Sequence, residues 1–393
     1  MERKLIQLSD VITDIAAGPF GSNLKVSCFV NDGFPIIDGA NLKSFKVTDN
    51  ITKFVTEEKA RSLHRSIAKR GDIVVTISGT LGQIAYIPDD SNYEEYLCSQ
   101  RQFRVTFDTT KVYVPYLVFY FHTYEGKHKI LSFANQVGVP ALSQPLKNFR
   151  QISVQLPTLE TQKKIASIVE SINGKIEQNE IINNNLEQQA QAIYQQMFID
   201  NARSDWAEGT LSDIADITMG QSPSGSSYNE DGTGTIFFQG RAEFGFRFPS
   251  VRLYTTEPKR MARSNDTLMS VRAPVGDLNV AHMDCCIGRG LAAIHSKSHH
   301  QSFVLYTMFS LKKQLDVFNG EGTVFGSINR NSLNDMPILI PSDDILDEFE
   351  RIVAPMDLTI RNNYDENCRL QDIRDTLLPR LMSSELDVSD IDI

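Results

Sequence analysis

The amino-acid sequence predicts an α+β chain built as a tandem repeat, in which two β-rich mixed domains are each followed by a long coiled-coil helix. Three observations carry this. A heptad seam occurs twice, 184 residues apart. Short motifs upstream of each seam recur in the same order. Strand-sized apolar runs bounded by turn residues fill the stretches between.

The seams come first because they fix the frame. Ile165, Val169, Ile172, Ile176, Asn179, Asn183, Leu186, Ala190, Ile193 and Met197 step alternately by four and three. Phe349, Val353, Met356, Ile360, Asn363, Asn367, Leu370, Arg374, Leu377 and Leu381 take the same steps. A 3.5-residue period keeps one helix face toward a partner, and asparagine in such a layer specifies register at a cost in stability. An antiparallel pair would set Asn183 against Asn363 and Asn179 against Asn367. A parallel pair in register would match the asparagines too, so the seam alone leaves direction open. Gly174 and Pro355 are expected to kink the helices, and Pro379 to end the second one.

The repeat extends upstream. Leu8-Ser-Asp-Val11 parallels Leu211-Ser-Asp-Ile214, and Pro35-Ile-Ile-Asp-Gly39 parallels Ile236-Phe-Phe-Gln-Gly240. Gly71–Gly82 parallels Asn265–Gly276, and Ile152–Pro157 parallels Met336–Pro341, each prolyl run opening its helix. The layout is domain one at 1–157, a helix at 158–203, domain two at 204–341, and a second helix with an acidic tail at 342–393. Asp72–Ile77, Thr267–Val271, Arg101–Phe107 and Leu291–Ile294 read as strands. Tyr116–Tyr124 and Phe303–Gln314 read as amphipathic helices.

Motif chemistry excludes several enzyme classes. The chain lacks a GxxxxGK[ST] phosphate loop, H-E-x-x-H, Cys/His zinc spacing and GxSxG. It also lacks the acid-x-Pro-Pro-aromatic loop of an adenine methyltransferase. No catalytic residue, metal site or bound cofactor is expected. The seven histidines cluster only at His299-His300, which follows Ser-Lys-Ser and reads as a solvated loop. Five scattered cysteines and an N-terminus without an apolar signal core fit a cytoplasmic protein.

What remains is polar loops in equivalent places of both halves. The first half offers Ser22, Asn23, Lys25, Ser78, Thr80, Gln100 and Arg101. The second offers Gln221, Ser222, Ser224, Gln239, Arg241, Arg272, Arg289, Asn329 and Arg330. These residue types hold phosphates and read base edges. The net charge of −10 opposes a nucleic-acid partner, yet residues 342–393 alone carry −9 while residues 1–150 carry +3.

Several motifs resemble the DNA-specificity subunits of Type I restriction-modification systems. They are Gln7-Leu-Ser-Asp-Val11, Gly220-Gln-Ser-Pro-Ser224, Arg272-Ala-Pro-Val-Gly276, Leu156–Ile165 and Leu377–Met382. Gly18-Pro-Phe-Gly21 departs from the family's Gly-x-x-Pro loop. The resemblance implies two target-recognition domains separated by two long antiparallel coiled-coil helices, related by a pseudo-twofold axis. It implies a non-catalytic chain that reads a bipartite double-stranded DNA target. It further implies docking of two methyltransferase subunits that carry S-adenosylmethionine, with a restriction/translocase subunit able to join. Helices of about forty residues would span roughly 60 Å, against about 34 Å per turn of DNA. The competing reading is a coiled-coil adaptor whose loops bind protein or glycan.

Overall fold

The computed structural model describes residues 3–135, 139–320 and 326–389. The last four residues of the expected acidic tail lie outside that range. The chain divides into two compact units: Met1–Glu177 with Asn367–Ile393, and Gln178–Glu366. Both boundaries fall inside a long helix.

Among the described residues the two units repeat one topology, apart from a short extra ribbon in the first, Ala134–Asn135 with Ala141–Leu142. In the first, a four-stranded sheet runs in the order Ile12–Ala17, Gln102–Phe107, Ile73–Thr76, Ile84–Tyr86. Its counterpart in the second runs Ala215–Met219, Leu291–Ser296, Thr267–Ser270, Leu278–Val280. Each unit also holds a five-stranded sheet with one parallel pair. That pair is Phe34–Ile37 with Glu95–Cys98 in the first unit and Thr235–Phe238 with Cys285–Ile287 in the second. A two-stranded ribbon leads into each long helix. Arg3–Gln7 pairs with Ser153–Pro157, and Ala207–Thr210 with Pro337–Ile340. The prolyl runs are therefore strands that deliver the chain to its helix.

Sequence and fold agree in these sheets for a physical reason. Ile73–Thr76 and Thr267–Ser270 are buried at every position, as strands covered on both faces must be. Cys285 and Cys286 are fully buried within a strand. Paired glycines carry the close approaches. A Cβ on Gly18 would lie 1.8 Å from Ser99 O, and one on Gly220 would lie 2.2 Å from Gly288 O. Only glycine lets those backbones pass.

The long helices run Leu159–Tyr194 and Asp343–Met382. Within the first unit, Ile165, Ala166 and Val169 pack in one core with Leu378, Leu381 and Met382. Arg374 donates to Asn173 Oδ1 at 3.1 Å, and its guanidinium lies 5.4 Å from the Phe45 ring centre. Within the second unit, Asn363 Nδ2 donates to Asn183 Oδ1 at 2.8 Å. Ala190, Phe349, Val353 and Ile360 pack together nearby. In each unit the segments run antiparallel in the expected register. Of the remaining seam residues, Ile176, Asn179 and Asn367 are buried, while Ile172, Leu186, Met356 and Leu370 are half-buried.

Several sequence expectations need correction. Pro379 does not end its helix, which continues to Met382. Its ring faces solvent, Leu381 and Met382 are buried, and Arg3 donates to the carbonyls of both. These contacts outweigh the one hydrogen bond a proline removes. Pro355 and Gly174 likewise lie within unbroken helix. Beyond Ala190 the seam shifts by one residue. Tyr194 and Phe198 are buried where Ile193 and Met197 were expected, and Gln195–Asp200 is a π-turn. An α-helix drifts from a strict heptad, and here large rings take the inward positions. The helix expected over Tyr116–Tyr124 spans Val114–His122, and Thr123 caps a further helix, Tyr124–Leu131. Phe303–Gln314 is split into Gln301–Ser310 and Lys312–Asp316. Among the described residues no helix is long and apolar enough to cross a membrane.

His122 gives the first unit a pH dependence. Its Nε2 lies 2.8 Å from Ile84 O, and burial holds its pKa below the usual 6.5. A depressed folded-state pKa means stability present above about 6.5 and lost as the pH falls through the depressed value. Urea unfolding at pH 7.5 and pH 5.5 should show that loss, at most about 1.4 kcal/mol per pH unit for one proton. His122→Asn should flatten it.

Candidate nucleic-acid interface

The paired parallel strands explain why distant loops meet. The turn after Phe34–Ile37 lies beside the turn that joins Glu95–Cys98 to Gln102–Phe107. The loop after Ile73–Thr76 closes the third side. These three turns line a cleft of about 700 Å3 that includes Asp38, Lys53, Ser78, Thr80, Gln83, Gln100 and Arg101. Ser78, Gln100 and Arg101 also line a second depression, with Phe20 and Lys147.

The second unit builds the same arrangement from the equivalent turns. Gln239, Arg241, Arg272 and Arg289 line one cleft of about 290 Å3. All four are exposed. Arg241 is engaged by Asp277 at 2.5 Å. Among the described residues neither Arg272 nor Arg289 has an ion-pair partner, so both guanidiniums are available for an anion. The glycines beside them, Gly240 and Gly290, open the backbone to close approach.

Other expected residues have structural duties or lie at the rim. Gln100 donates to Leu24 O at 2.5 Å, so its amide holds the 21–24 loop. Ser22, Asn23 and Lys25 are exposed around Leu24, which is buried in the cleft wall. Ser222 Oγ accepts from Arg289 N at 3.3 Å and supports that turn. Gln221 is exposed beside it, its N–H donating to Ile287 O. Ser224 Oγ lies 2.8 Å from Ser226 Oγ. Asn329 caps the short helix Arg330–Asn334 by accepting from Ser332 N. Arg330 is exposed in its first turn, away from the cleft lining.

Reading the sequence missed Asp38, Lys53 and Gln83. Burial alone would raise the Asp38 carboxyl, but Lys53 at 2.5 Å and the Ala40 N–H hold it below its usual range. The signal was present, because the repeat alignment sets Asp38 opposite Gln239. The two clefts therefore differ in chemistry. One holds an acid paired with a lysine, whereas the other holds an amide beside three arginines.

Of the His299-His300 pair, His299 is exposed as expected, but His300 is not. His300 is 3% exposed and both rings reach Asp347.

Residues 22–188 match the Type I restriction modification DNA specificity domain. A putative type I restriction enzyme MjaX specificity subunit of Methanocaldococcus jannaschii is 26% identical, over 91% of this chain and 88% of that one. The type I restriction enzyme HindI specificity subunit of Haemophilus influenzae is 22% identical, over 81% and 87%. The fold matches the crystal structure of a Type-I restriction-modification system S subunit from M. genitalium, with a TM-score of 0.61 at 13% identity. That match covers 97% of this chain and 96% of that one. Duplicated sheets, paired heptad helices and two matched loop clefts thus accompany a similarity, in sequence and in fold, to the specificity subunits of type I restriction-modification systems.

Proposed function

We propose that each unit's cleft reads one half of a bipartite double-stranded DNA target, and that the chain itself performs no chemistry. The observation that carries this reading is the repeated convergence of three turns, which presents Arg101 in one unit and Arg272 with Arg289 in the other. Arginine is suited to bidentate contact with guanine or phosphate. The different chemistry of the two clefts supports an asymmetric target. The long helices carry exposed apolar side chains, Ile181, Ile182, Leu358 and Ile373 among them, which suit docking of protein partners. Those partners would be two methyltransferase subunits that bring S-adenosylmethionine and methylate adenine in the cytoplasm. A restriction/translocase subunit would join them for cleavage.

Domain exchange tests the reading. Replacing residues 1–157 with the equivalent domain of a relative should change one half of the methylated site and leave the other intact. Genome-wide mapping of methylated adenines measures it. A change in both halves would refute independent reading, and no dependence of methylation on this chain would favour the adaptor alternative.

A further inference from the structure

We propose that His299, His300 and Asp347 form a binding site for a divalent transition-metal ion of the zinc class, which fastens the second recognition domain to the second long helix. The proposal rests on donor geometry and is independent of how the clefts read DNA.

The three donor atoms lie within 4.8 Å of one another. Nε2 of His299 and Nε2 of His300 each stand 2.9 Å from the same oxygen, Asp347 Oδ1. A tetrahedral zinc ion with bonds of about 2.0–2.2 Å sets neighbouring donors roughly 3.3 Å apart. The two imidazole–carboxylate distances would widen by a few tenths of an ångström to accept one, and the two histidine donor atoms already lie within 4.8 Å of each other. Two imidazoles and a carboxylate suit zinc or nickel, whereas calcium and magnesium favour all-oxygen shells.

Two further features hold the site ready. His300 Nδ1 lies 2.9 Å from Ser298 Oγ. With Nδ1–H donating to that hydroxyl, Nε2 turns its lone pair toward Asp347, the outer-shell arrangement that orients metal-bound histidine. Glu350, one turn beyond Asp347, accepts from Phe303 N–H at 2.9 Å. That contact already sets the helix Gln301–Ser310 against the second long helix, so an ion would not have to order the chain. His300 is buried, while the side chains of His299 and Asp347 are 77% and 60% exposed. An ion could enter from solvent and keep a water as its fourth ligand.

The site belongs to one repeat only. By the 184-residue offset of the seams, Asp347 corresponds to Lys163, which cannot ligate while protonated. In the first unit Gln162 does the fastening instead, accepting from Tyr113 N at 2.9 Å.

The test uses the untagged full-length chain, stripped of metal and titrated with zinc chloride against a chromogenic chelator. One saturable zinc per chain is expected, and zinc should raise the melting temperature. His299→Ala and Asp347→Asn alter exposed side chains and should leave the metal-free melting temperature unchanged. Each should weaken zinc binding at least ~10-fold, and Ser298→Ala should weaken it by a smaller factor. Absence of saturable binding overturns the proposal. So does zinc bound with unchanged affinity in both His299→Ala and Asp347→Asn, which would locate it on other residues such as the cysteines. The cluster would then be a hydrogen-bonded His–Asp–His contact only.

Discussion

Arg247→Met is expected to cost the second unit about 3–5 kcal/mol, the usual penalty for removing one member of a buried ionic cluster. Arg247 is 4% exposed. Its guanidinium lies 2.9 Å from Glu187 and 3.3 Å from Asp357, and it also donates to the Tyr306 hydroxyl at 3.2 Å. Tyr306 in turn donates to Asp357 at 2.9 Å. Without the arginine, two half-buried carboxylates are left with no cation beside them. Burial already raises both above their usual values, and Arg247 is the main force pulling them back. A raised folded-state pKa favours folding below the usual carboxylate values and is lost as the pH rises through the shifted one. The defect of Arg247→Met should therefore shrink as the medium is acidified. The cluster is imperfect, because Arg247 Nε has no hydrogen-bond partner among the described residues, and Nη2 meets Glu187 Oε2 as an ion pair outside good hydrogen-bond geometry. Replacing all three charged residues by apolar ones should thus recover most of the loss. Urea unfolding at neutral and mildly acidic pH measures each part. A cost under ~1 kcal/mol for the single variant would mean the cluster behaves as an exposed ion pair.

On the proposed reading, Arg272→Ala and Arg289→Ala should each weaken specific DNA binding by the assembled complex by about 1–3 kcal/mol. The loss should fall on the half-site read by the second domain, with discrimination relaxed there and preserved in the other half. Both side chains are exposed, so folding stability should change by no more than about 0.5 kcal/mol. Fluorescence anisotropy on targets altered in one half or the other would separate the two halves. Equal weakening on all DNA sequences would assign both arginines to phosphate contact.

The frame was legible in the sequence because period and repetition are local signals. Heptad spacing predicted the layer now seen at Asn183 and Asn363, while its antiparallel direction came from the family resemblance and not from the seam. Strand-sized, mostly apolar runs predicted the central strands at Ile73–Thr76 and Thr267–Ser270. The seam failed where large rings competed with the period, at Tyr194 and Phe198. Pro379 misled because the propensity of one residue carries no record of Arg3, far away in sequence, holding the last carbonyls. In the clefts, exposed arginines were recognisable by type, but their neighbours were not. Asp38 and Lys53 join the first cleft only through strand pairing. His299 and His300 meet Asp347 across 46 intervening residues, and no spacing rule links them. Gln100 and Asn329 were assigned to a ligand because amides serve binding and turns equally well.

The placement of the proposed reading residues on turns bears on how such a protein changes over generations. Gln239, Arg272 and Arg289 are exposed just past strand ends; the strands before Arg272 and Arg289 are buried throughout, and the one before Gln239 is buried at Phe237 and Phe238. Substitutions on the turns remove little packing, and substitutions one or two positions away remove a great deal. The mutational load is therefore split, with a tolerant rim above an intolerant floor and Gly18 and Gly220 marking the border. A lineage can revise the sequence it recognises through the rim alone without spending stability, and each repeat can do so while its twin stays unchanged.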